Sequence, residues 1–362
     1  MEIIILHQTF TDGDAIGHDI QGMYDVCNEN NINVSIFCEY NQANQKYKVI
    51  AINELKRKIN TKNNILIYHH SIYWKLGESF LKEAKCKVII RYHNITPSKF
   101  FENYSDKYYK ITSVGREQTK RLIKEHDFYW LSDSNFNNLE LLELGINPEK
   151  TEIVAPFHKV EYMDDIEADI NLLNNLKKSS RVHVLFVGRV ATNKGHLNIC
   201  KVAKSYLELF DNNITFWIVG GFDPEIESYN KEINNYITRW NLQEYVIFTN
   251  KVSINQLKAY FLGSNIFLCL SEHEGFCVPL IESQYNNLPI VAYNSSAIAE
   301  TMGDGQIVFE KFDEDLIAAA IFEIGSDKSI ASYLAEKGKY NYSTRFKNEI
   351  ISEQFINFIK MF

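Results

Sequence analysis

The chain has 362 residues, 45% of them hydrophobic, and a formal net charge of −8. This length exceeds what a single hydrophobic core usually serves, so we expect two domains, and the acidity excludes general nucleic-acid binding. No signal peptide is evident and no apolar run approaches the roughly 18 residues of a membrane span, while the six cysteines form no disulfide framework. The composition therefore predicts a soluble, cytoplasmic protein.

The first half of the chain alternates apolar strands with helical segments. A glycine-containing loop, 12–17, follows the first strand. Gly13 and Gly17 stand four residues apart, so the loop lacks the G-x-G-x-x-G fingerprint and a dehydrogenase is disfavoured. These glycines either face a substrate or serve only the turn. The predicted strands cover residues 2–7, 33–38, 65–70, 87–94 and 129–134.

Histidines stand at the ends of two of these strands. His69 and His70 close one strand, and His93 closes the next. Carboxyl ends of parallel strands line the crevice in which α/β sheets bind ligands, so all three are candidate site residues. The alternative is hydrogen bonding within the loops. No histidine or cysteine spacing matches a structural zinc site, and we expect no metal.

A basic segment, 99–126, stands out in this acidic chain. It carries seven Lys and Arg residues against four Asp and Glu residues, interleaved with aromatic side chains. Such a segment is suited to contact with an anionic membrane surface, where a lipid-linked substrate lies. The other interpretation is a solvated helix face beside a core helix.

The second half begins with a buried strand that ends at Gly188. Arg189 follows at once, and Lys194 comes five residues later, before a further helix. Cations at this edge of a parallel sheet suit a diphosphate, which Arg grips with a planar fork and Lys contacts as a point charge. In isolation, such residues are usually surface charges. Further strands at 215–221, 245–248, 265–270 and 288–293 alternate with helices and predict a doubly wound parallel domain.

The segment 271–282 combines a strand end, a turn and a helix. Pro279 suits the first helical turn, and the N–H groups of Phe276 to Val278 then form an anion site at the helix N-terminus. Glu274 and Glu282 suggest the carboxylate pair of a glycosidase. Eight residues of helix span about 12 Å, more than the 5 to 9.5 Å of such pairs. Separate roles for the two carboxylates, one at a sugar and one at a ribose, fit better.

Glu274 and Glu282 resemble the E-x7-E motif of retaining glycosyltransferases of family 4, which have the GT-B fold. The segment 186–195 resembles the G-R…K-G element of the same family. The resemblance implies two Rossmann-like, doubly wound α/β domains that face each other across a cleft, with a C-terminal helix that returns to the first domain.

The resemblance also suggests domain boundaries. We expect an acceptor-binding domain at 1–160, a linker rich in Asp, Glu and Asn at 161–180, and a nucleotide-sugar-binding domain at 181–343. The last segment, 344–362, has the apolar spacing of a helix that packs on a core.

Site residues follow from the same family pattern. Arg189 and Lys194 would neutralise the departing diphosphate, Glu274 and His93 would contact the donor sugar, and Glu282 would bind the ribose. The backbone at Val252 would meet the nucleobase. The other expected donor-binding residues are Gly13, Gly17, Gly188, Phe276, Cys277 and Val278, and the expected acceptor-binding residues are His69 and His70.

The implied activity is retaining transfer of a sugar from a UDP- or GDP-linked donor to an acceptor hydroxyl, with no metal and no further cofactor. The acceptor would be a glycan or lipid-linked glycan in polysaccharide or glycolipid assembly, and the protein would be cytoplasmic or peripheral at the inner membrane face. Two alternatives remain: a nucleotide-sugar epimerase or hydrolase of the same fold, and a non-catalytic protein that binds nucleotide or glycan.

Overall fold

The computed structural model describes residues 1–43 and 46–362. The chain forms two compact units, and each contains a parallel six-stranded sheet with helices between the strands. This arrangement confirms the predicted α/β class with two Rossmann-like domains. Unit 1 comprises Met1–Ser98, Lys107–Lys159 and Lys347–Phe362, and unit 2 comprises Lys99–Asp106 and Val160–Phe346.

The sheet of unit 1 has the strand order β2-β1-β3-β4-β5-β6, with every neighbouring pair parallel. Its strands are β1 (Glu2–Thr11), β2 (Asn33–Gln42), β3 (Ile65–His70), β4 (Lys87–Tyr92), β5 (Tyr129–Ser132) and β6 (Thr151–Ile153). Its helices are α1 (Ala15–Glu29), α2 (Ile52–Ile59), α3 (Lys75–Glu83), α4 (Asp106–Glu125), α5 (Asn135–Glu143) and, from the end of the chain, α14 (Asn348–Ile359).

Continuous apolar runs explain the strands of unit 1. All six residues of β3 are buried, as is typical of a parallel strand that is covered on both faces. The last helix completes this unit. Ile351 and Phe355 of α14 are fully buried, and Phe355 packs edge-on against Phe157 with ring centres 5.7 Å apart. The chain therefore ends within the unit in which it starts.

The sheet of unit 2 has the strand order β12-β11-β10-β7-β8-β9 and is also parallel throughout. Its strands are β7 (Val182–Val187), β8 (Ile214–Val219), β9 (Val246–Asn250), β10 (Ile266–Cys269), β11 (Ile290–Tyr293) and β12 (Ile307–Phe309). Its helices are α6 (Ile170–Lys178), α7 (His196–Leu209), α8 (Glu227–Arg239), α9 (Ile254–Gly263), α10 (Val278–Tyr285), α11 (Ile298–Met302), α12 (Glu314–Ser326) and α13 (Lys328–Arg345).

The segment that we expected to be a linker, 161–180, belongs to unit 2 instead. It contains α6, whose Leu173 and Leu176 are buried. Leu176 contacts the unit 2 core and lies against Gly263 of α9. The abundance of Asp, Glu and Asn indicated a solvated tether, but two apolar residues three apart are enough to hold a short helix on the domain.

The N-cap of α6 provides a test of this packing. The Asp169 carboxylate accepts a hydrogen bond of 3.0 Å from the Leu172 N–H, and the Asp169 N–H donates to the Asn255 carbonyl. We expect Asp169→Ala to lower the free energy of unfolding by about 1 kcal/mol, the usual cost of losing an N-cap. Urea denaturation measures this cost. Glu167→Ala removes the same charge from an exposed side chain nearby and should change stability by less than about 0.5 kcal/mol.

The basic segment 99–126 is divided between the units, with 99–106 in unit 2 and most of α4 in unit 1. Several of its cations are paired with carboxylates, as expected for a solvated helix face. Arg116 lies 2.8 Å from Glu140, and Arg121 lies 3.1 Å from Glu78. Among the described residues, no helix combines the length and the hydropathy that a membrane crossing requires.

Candidate functional site

The loop after β7 carries the first group of predicted site residues. It turns back through Gly195, which has a φ of +69° and precedes α7. A Cβ at this position would lie 1.9 Å from the Leu270 carbonyl oxygen at the end of β10. Only glycine satisfies both requirements, so the Lys-Gly pair holds the ammonium of Lys194 at the carboxyl edge of the sheet.

Lys194 forms an ion pair with Glu274. Its Nζ lies 2.7 and 2.8 Å from the two carboxylate oxygens, although the residues are 80 positions apart in sequence. Burial disfavours the ammonium, but the Glu274 carboxylate outweighs this effect and raises the pKa of Lys194. Glu274 is 8% exposed, and a buried carboxylate is costly unless a cation pairs with it. The structure therefore brings two of the predicted site residues together.

Backbone and hydroxyl contacts fix the turn that carries Glu274. The Asn193 side-chain amide donates to the His273 carbonyl, and the Glu272 N–H donates to the Asn193 carbonyl. On the other side, the Glu274 N–H donates to the Ser296 hydroxyl at 2.7 Å. Ser295 donates to the Ser271 carbonyl at 2.6 Å. Two serine hydroxyls, those of Ser295 and Ser296, therefore hold the loop that carries Glu274.

The N-terminus of α10 has the features of an anion site. Pro279 lies in its first turn, as predicted, and Cys277 at the N-cap has a left-handed backbone with φ +75°. Within residues 1–43 and 46–362, no hydrogen bond engages the backbone N–H groups of Phe276, Cys277 or Val278. Unpaired N–H groups at the positive end of a helix attract phosphate oxygens.

Glu282 lies one turn further along α10 and is half-buried. Burial raises the pKa of its carboxyl from 4.5 to about 7. No side chain or N–H group in the described part of the chain donates to it. A carboxylate that is held without donors at the edge of a ligand crevice is suited to accept hydrogen bonds from a bound diol.

Arg189 follows Gly188 at the end of β7, and its guanidinium bonds to the Asp223 carboxylate. The arginine side chain is 60% exposed, whereas that of Asp223 is 8% exposed. Asp223, after β8, was not predicted. Val252 packs partly against the core of unit 2, so its side chain is structural, and the predicted base contact concerns its backbone.

In unit 1, His93 belongs to a network of buried polar groups. Its Nδ1 lies 2.8 Å from the Asp133 carboxylate, and its Nε2 lies 2.8 Å from Nδ1 of His69. Both ring nitrogens of His93 are therefore engaged within unit 1. Burial holds the pKa of His69 well below its usual value, so that ring is neutral at pH 7. The sequence placed both histidines at strand ends but did not reveal Asp133.

A buried arginine organises the same network. Arg91 lies 2.8 Å from Asp19 and 3.0 Å from Asp133, and burial of its guanidinium is offset by these two carboxylates, which raise its pKa. Asp19, His69 and His93 each offer an atom that could ligate a metal within a small space. Arg91 already supplies positive charge to Asp19 there. The absence of a metal remains a prediction.

His70 lies in a different environment from its neighbour. Its ring is fully buried, and its Nε2 lies 2.9 Å from the Thr119 hydroxyl. Burial lowers its pKa to about 3. The buried His70 ring has no exposed face that an acceptor could contact, which does not fit the acceptor-binding role that we expected for it. Strand-end position alone did not reveal that the last residue of β3 points into the core of unit 1.

The two glycines of the first loop are not equivalent. A Cβ at Gly17 would lie 1.8 Å from the Thr11 carbonyl oxygen, so this glycine is required where α1 starts against the end of β1. Gly13 is exposed and has no such constraint. The Asp14 carboxylate accepts from the Gly17 N–H at 2.7 Å and occupies the N-terminus of α1. A phosphate at this helix would have to compete with Asp14.

In comparisons with known proteins, a segment of unit 2 matches a family model. Residues 170–341 match the family model "Glycosyl transferases group 1". A 2-deoxystreptamine N-acetyl-D-glucosaminyltransferase of Niallia circulans is 29% identical over 178 residues, 48% of this chain and 44% of that protein. The capsular polysaccharide biosynthesis glycosyltransferase CapH of Staphylococcus aureus is 26% identical over 237 residues, 66% of this chain and 62% of that protein. The matches span about half the length of these curated relatives.

Solved structures resemble the whole chain. Anabaena Alr3699/HepE, crystallised with UDP and glucose, superposes with a TM-score of 0.76 at 14% identity and full coverage of both chains. WaaG, a glycosyltransferase involved in lipopolysaccharide biosynthesis, gives a TM-score of 0.71 at 12% identity and 99% coverage of both chains. At these identities the likeness shows the fold, and it confirms the predicted GT-B architecture.

Proposed function

We propose that the protein is a glycosyltransferase that moves a sugar from a nucleotide diphosphate sugar to an acceptor hydroxyl. The observation that supports this most is the meeting of Lys194, Glu274 and the N-terminus of α10 at one edge of the unit 2 sheet. This edge lies within the segment that matches the glycosyltransferase family model. A cation, a carboxylate and free N–H groups provide what a diphosphate and a sugar ring require.

In the proposed reaction, the acceptor oxygen bonds to the anomeric carbon as the bond from that carbon to the diphosphate breaks, and one proton is released. Negative charge develops on the diphosphate, so groups that stabilise it there accelerate the step. We assign this role to Arg189, Lys194 and the N–H groups of Phe276 to Val278. These groups would replace a metal ion, and no other cofactor is proposed.

The ion pair of Lys194 and Glu274 would then act as a placeholder for the donor. The diphosphate would take the Lys194 ammonium, and the Glu274 carboxylate would be released to accept hydrogen bonds from sugar hydroxyls. Both charges keep a partner before and after binding. Neither is left buried and unpaired, which would cost several kcal/mol.

The remaining donor contacts are proposed from the same family pattern. Glu282 would bind the ribose diol, and the backbone at Val252 would meet the base. Gly13, Gly17 and Gly188 would lie along the bound donor. His93, with His69 as its neighbour, would contact the donor sugar, and the reaction would retain the anomeric configuration. For His70, burial supports a structural role instead.

Relatives named for capsular polysaccharide and lipopolysaccharide synthesis support a glycan or lipid-linked glycan as acceptor. Structural neighbours that were crystallised with UDP or UDP-glucose favour UDP over GDP as the donor nucleotide. We propose a cytoplasmic protein, because its six cysteines are all buried free thiols, as expected in a reducing compartment.

A nucleotide-sugar epimerase or hydrolase and a non-catalytic binding protein remain as alternatives. All of these would bind nucleotide, so binding alone does not separate them. Product analysis does. A glycosyltransferase extends the acceptor, a hydrolase releases free sugar, an epimerase yields an isomer, and a binding protein yields no product.

Thermal denaturation with UDP, GDP, ADP, CMP or TDP tests the donor site. A nucleotide present at a hundred times its Kd should stabilise the protein by about 2.7 kcal/mol, because it binds only the folded state. We expect one diphosphate to raise the Tm equally with and without Mg²⁺. Arg189→Ala should weaken this shift.

Arg181→Ala is the matched control, because it removes the same charge just before β7, at the opposite end of the strand. Its Tm shift with nucleotide should equal that of the wild type. No shift with any of the five nucleotides would contradict the proposed function, and a shift that requires Mg²⁺ would contradict the metal-free site.

A further inference from the structure

Unit 2 has a cavity of about 440 Å³ beside the donor elements, within the size range of small-molecule sites. It opens between the start of α7, the Glu272 turn and the segment 99–106. Thr192 lines it two residues before Lys194, and Glu272 lines it two residues before Glu274. A ligand held in this cavity therefore lies next to the residues that we assign to the donor.

Five aromatic residues form much of the cavity lining, and hydrogen bonds hold two of them in place. The Tyr104 hydroxyl donates to Glu232 at 2.8 Å. The Tyr229 hydroxyl accepts from the Leu197 N–H. Their rings meet edge-on with centres 5.1 Å apart. Fixed aromatic faces pack against the C–H face of a sugar ring while the rim of that ring stays polar.

The cavity carries more positive than negative charge. Lys99 and Lys201 line it against one carboxylate, that of Glu272. Within the described residues, neither lysine takes part in a salt bridge. The Lys201 Nζ lies 5.6 Å from the centre of the Phe312 ring and 3.4 Å from the Asn198 side-chain oxygen. An anionic ligand would give both ammonium groups a close ion-pair partner, which neither has among the described residues, although both act on the Glu272 carboxylate at longer range.

A buried hydroxyl adds an independent indication of a polar ligand. Thr192 is 6% exposed and lines the cavity, yet its Oγ1 has no hydrogen-bond partner in the part of the chain that the structure describes. A buried hydroxyl without a partner costs free energy, and a sugar hydroxyl or carboxylate oxygen would satisfy it.

We propose that this cavity binds an anionic sugar of the acceptor, one that carries a carboxylate or a phosphate group. In this proposal the aromatic faces pack against the sugar ring, and Lys99 and Lys201 pair with its acidic group. The Thr192 hydroxyl forms a hydrogen bond with a substituent of the ring. This inference rests on the proposed function, because the donor elements beside the cavity are what make its occupant an acceptor.

Titration calorimetry with three sugars tests the proposal, using the full chain saturated with the diphosphate that stabilises it. Methyl β-D-glucuronide carries a carboxylate, glucose 6-phosphate a phosphate, and methyl β-D-glucoside no charge. We expect at least one anionic sugar to bind about tenfold more tightly than the neutral one, and the stronger of the two identifies the acidic group. Equal affinity for all three sugars, or no binding of any, would overturn the proposal.

Variants then locate the site. Lys201→Ala should lower the affinity for the anionic sugar about tenfold and leave that for the neutral sugar unchanged. Lys99→Ala, at an exposed residue, should act in the same direction. Lys204→Ala removes the same charge one turn later on α7, outside the cavity, and should have no effect. Equal losses in Lys201→Ala and Lys204→Ala would contradict the assignment.

Nucleotide binding separates the two levels of the proposal. If a diphosphate raises the Tm and no anionic sugar binds, the cavity assignment fails and the proposed function stands. If no diphosphate binds, the proposed function fails, and with it the identification of the occupant as an acceptor.

Discussion

Replacement of Lys194 by alanine is expected to lower kcat/KM for sugar transfer by about 10²- to 10³-fold, the usual cost of losing one group that stabilises developing negative charge. The Lys194 ammonium is fixed by the turn at Gly195 and is held at the sheet edge by Glu274. It is therefore positioned before the donor arrives. Initial rates at saturating acceptor and varied donor measure the effect.

The same variant should also be less stable, and this must be separated from catalysis. Lys194→Ala leaves the Glu274 carboxylate buried without its cation, which typically costs 3–5 kcal/mol, or about half that if water enters the space. Loss of activity in this variant alone would therefore be ambiguous.

The double variant Lys194→Ala/Glu274→Gln resolves the two effects. With no charge left to bury, its free energy of unfolding in urea should recover to within about 1 kcal/mol of the wild type. Its transfer rate should stay at or below that of Lys194→Ala. A double variant that recovers activity along with stability would show that Lys194 serves the fold and not the reaction.

Most of the fold could be predicted from the sequence, because buried parallel strands appear as continuous apolar runs. The apolar run 65–70 has the same bounds as β3, and the run 182–188 extends one residue beyond the end of β7. Helix α6 was missed because the segment 161–180 has a polar composition, yet two buried leucines hold this helix on the core of unit 2.

The sequence predicted those residues of the candidate site that belong to recognisable motifs. Spacing placed Lys194 and Glu274 at strand ends, and the structure adds that they meet. Partners without a local signal were missed. Arg91 contacts Asp19 across 72 positions, and the Ser296 hydroxyl holds Glu274 from 22 residues away. Such pairs become visible only when the order of strands in the sheet is known.

Glu282→Gln is expected to stabilise the ligand-free protein and to weaken nucleotide binding. The Glu282 carboxyl has an ordinary pKa of 4.5 and a folded-state pKa of about 7, because it is half-buried. The folded state holds this proton to a higher pH than the unfolded state. The wild type therefore loses stability as pH rises from about 4.5 to 7, and the penalty is complete above that range.

Glutamine has no charge to lose, so the difference between the two proteins should follow this titration. Urea denaturation should show equal stability near pH 4.5 and an advantage of about 2 kcal/mol for Glu282→Gln at pH 8, after allowance for the solvent that reaches the carboxyl. Glu336→Gln, on an exposed face of α13, should show no such dependence. An advantage that is constant with pH would contradict a buried, titrating Glu282.

Nucleotide binding should change in the opposite direction. An ionised carboxylate accepts both hydroxyls of a ribose diol, whereas an amide offers one oxygen, so Glu282→Gln should weaken the diphosphate about tenfold or more at pH 8. Wild-type affinity should fall as pH drops from 8 to 6, because Glu282 gains a proton with a pKa of about 7. The variant's affinity should fall less over the same range.

Calorimetry at several pH values decides whether Glu282 contacts the nucleotide. If the affinity for the diphosphate depends equally on pH in both proteins, Glu282 does not bind the nucleotide, and its raised pKa reflects burial alone. If the two affinities depend on pH differently, as expected, the ionised Glu282 carboxylate destabilises the ligand-free protein, and hydrogen bonds from the bound ribose offset this loss of stability.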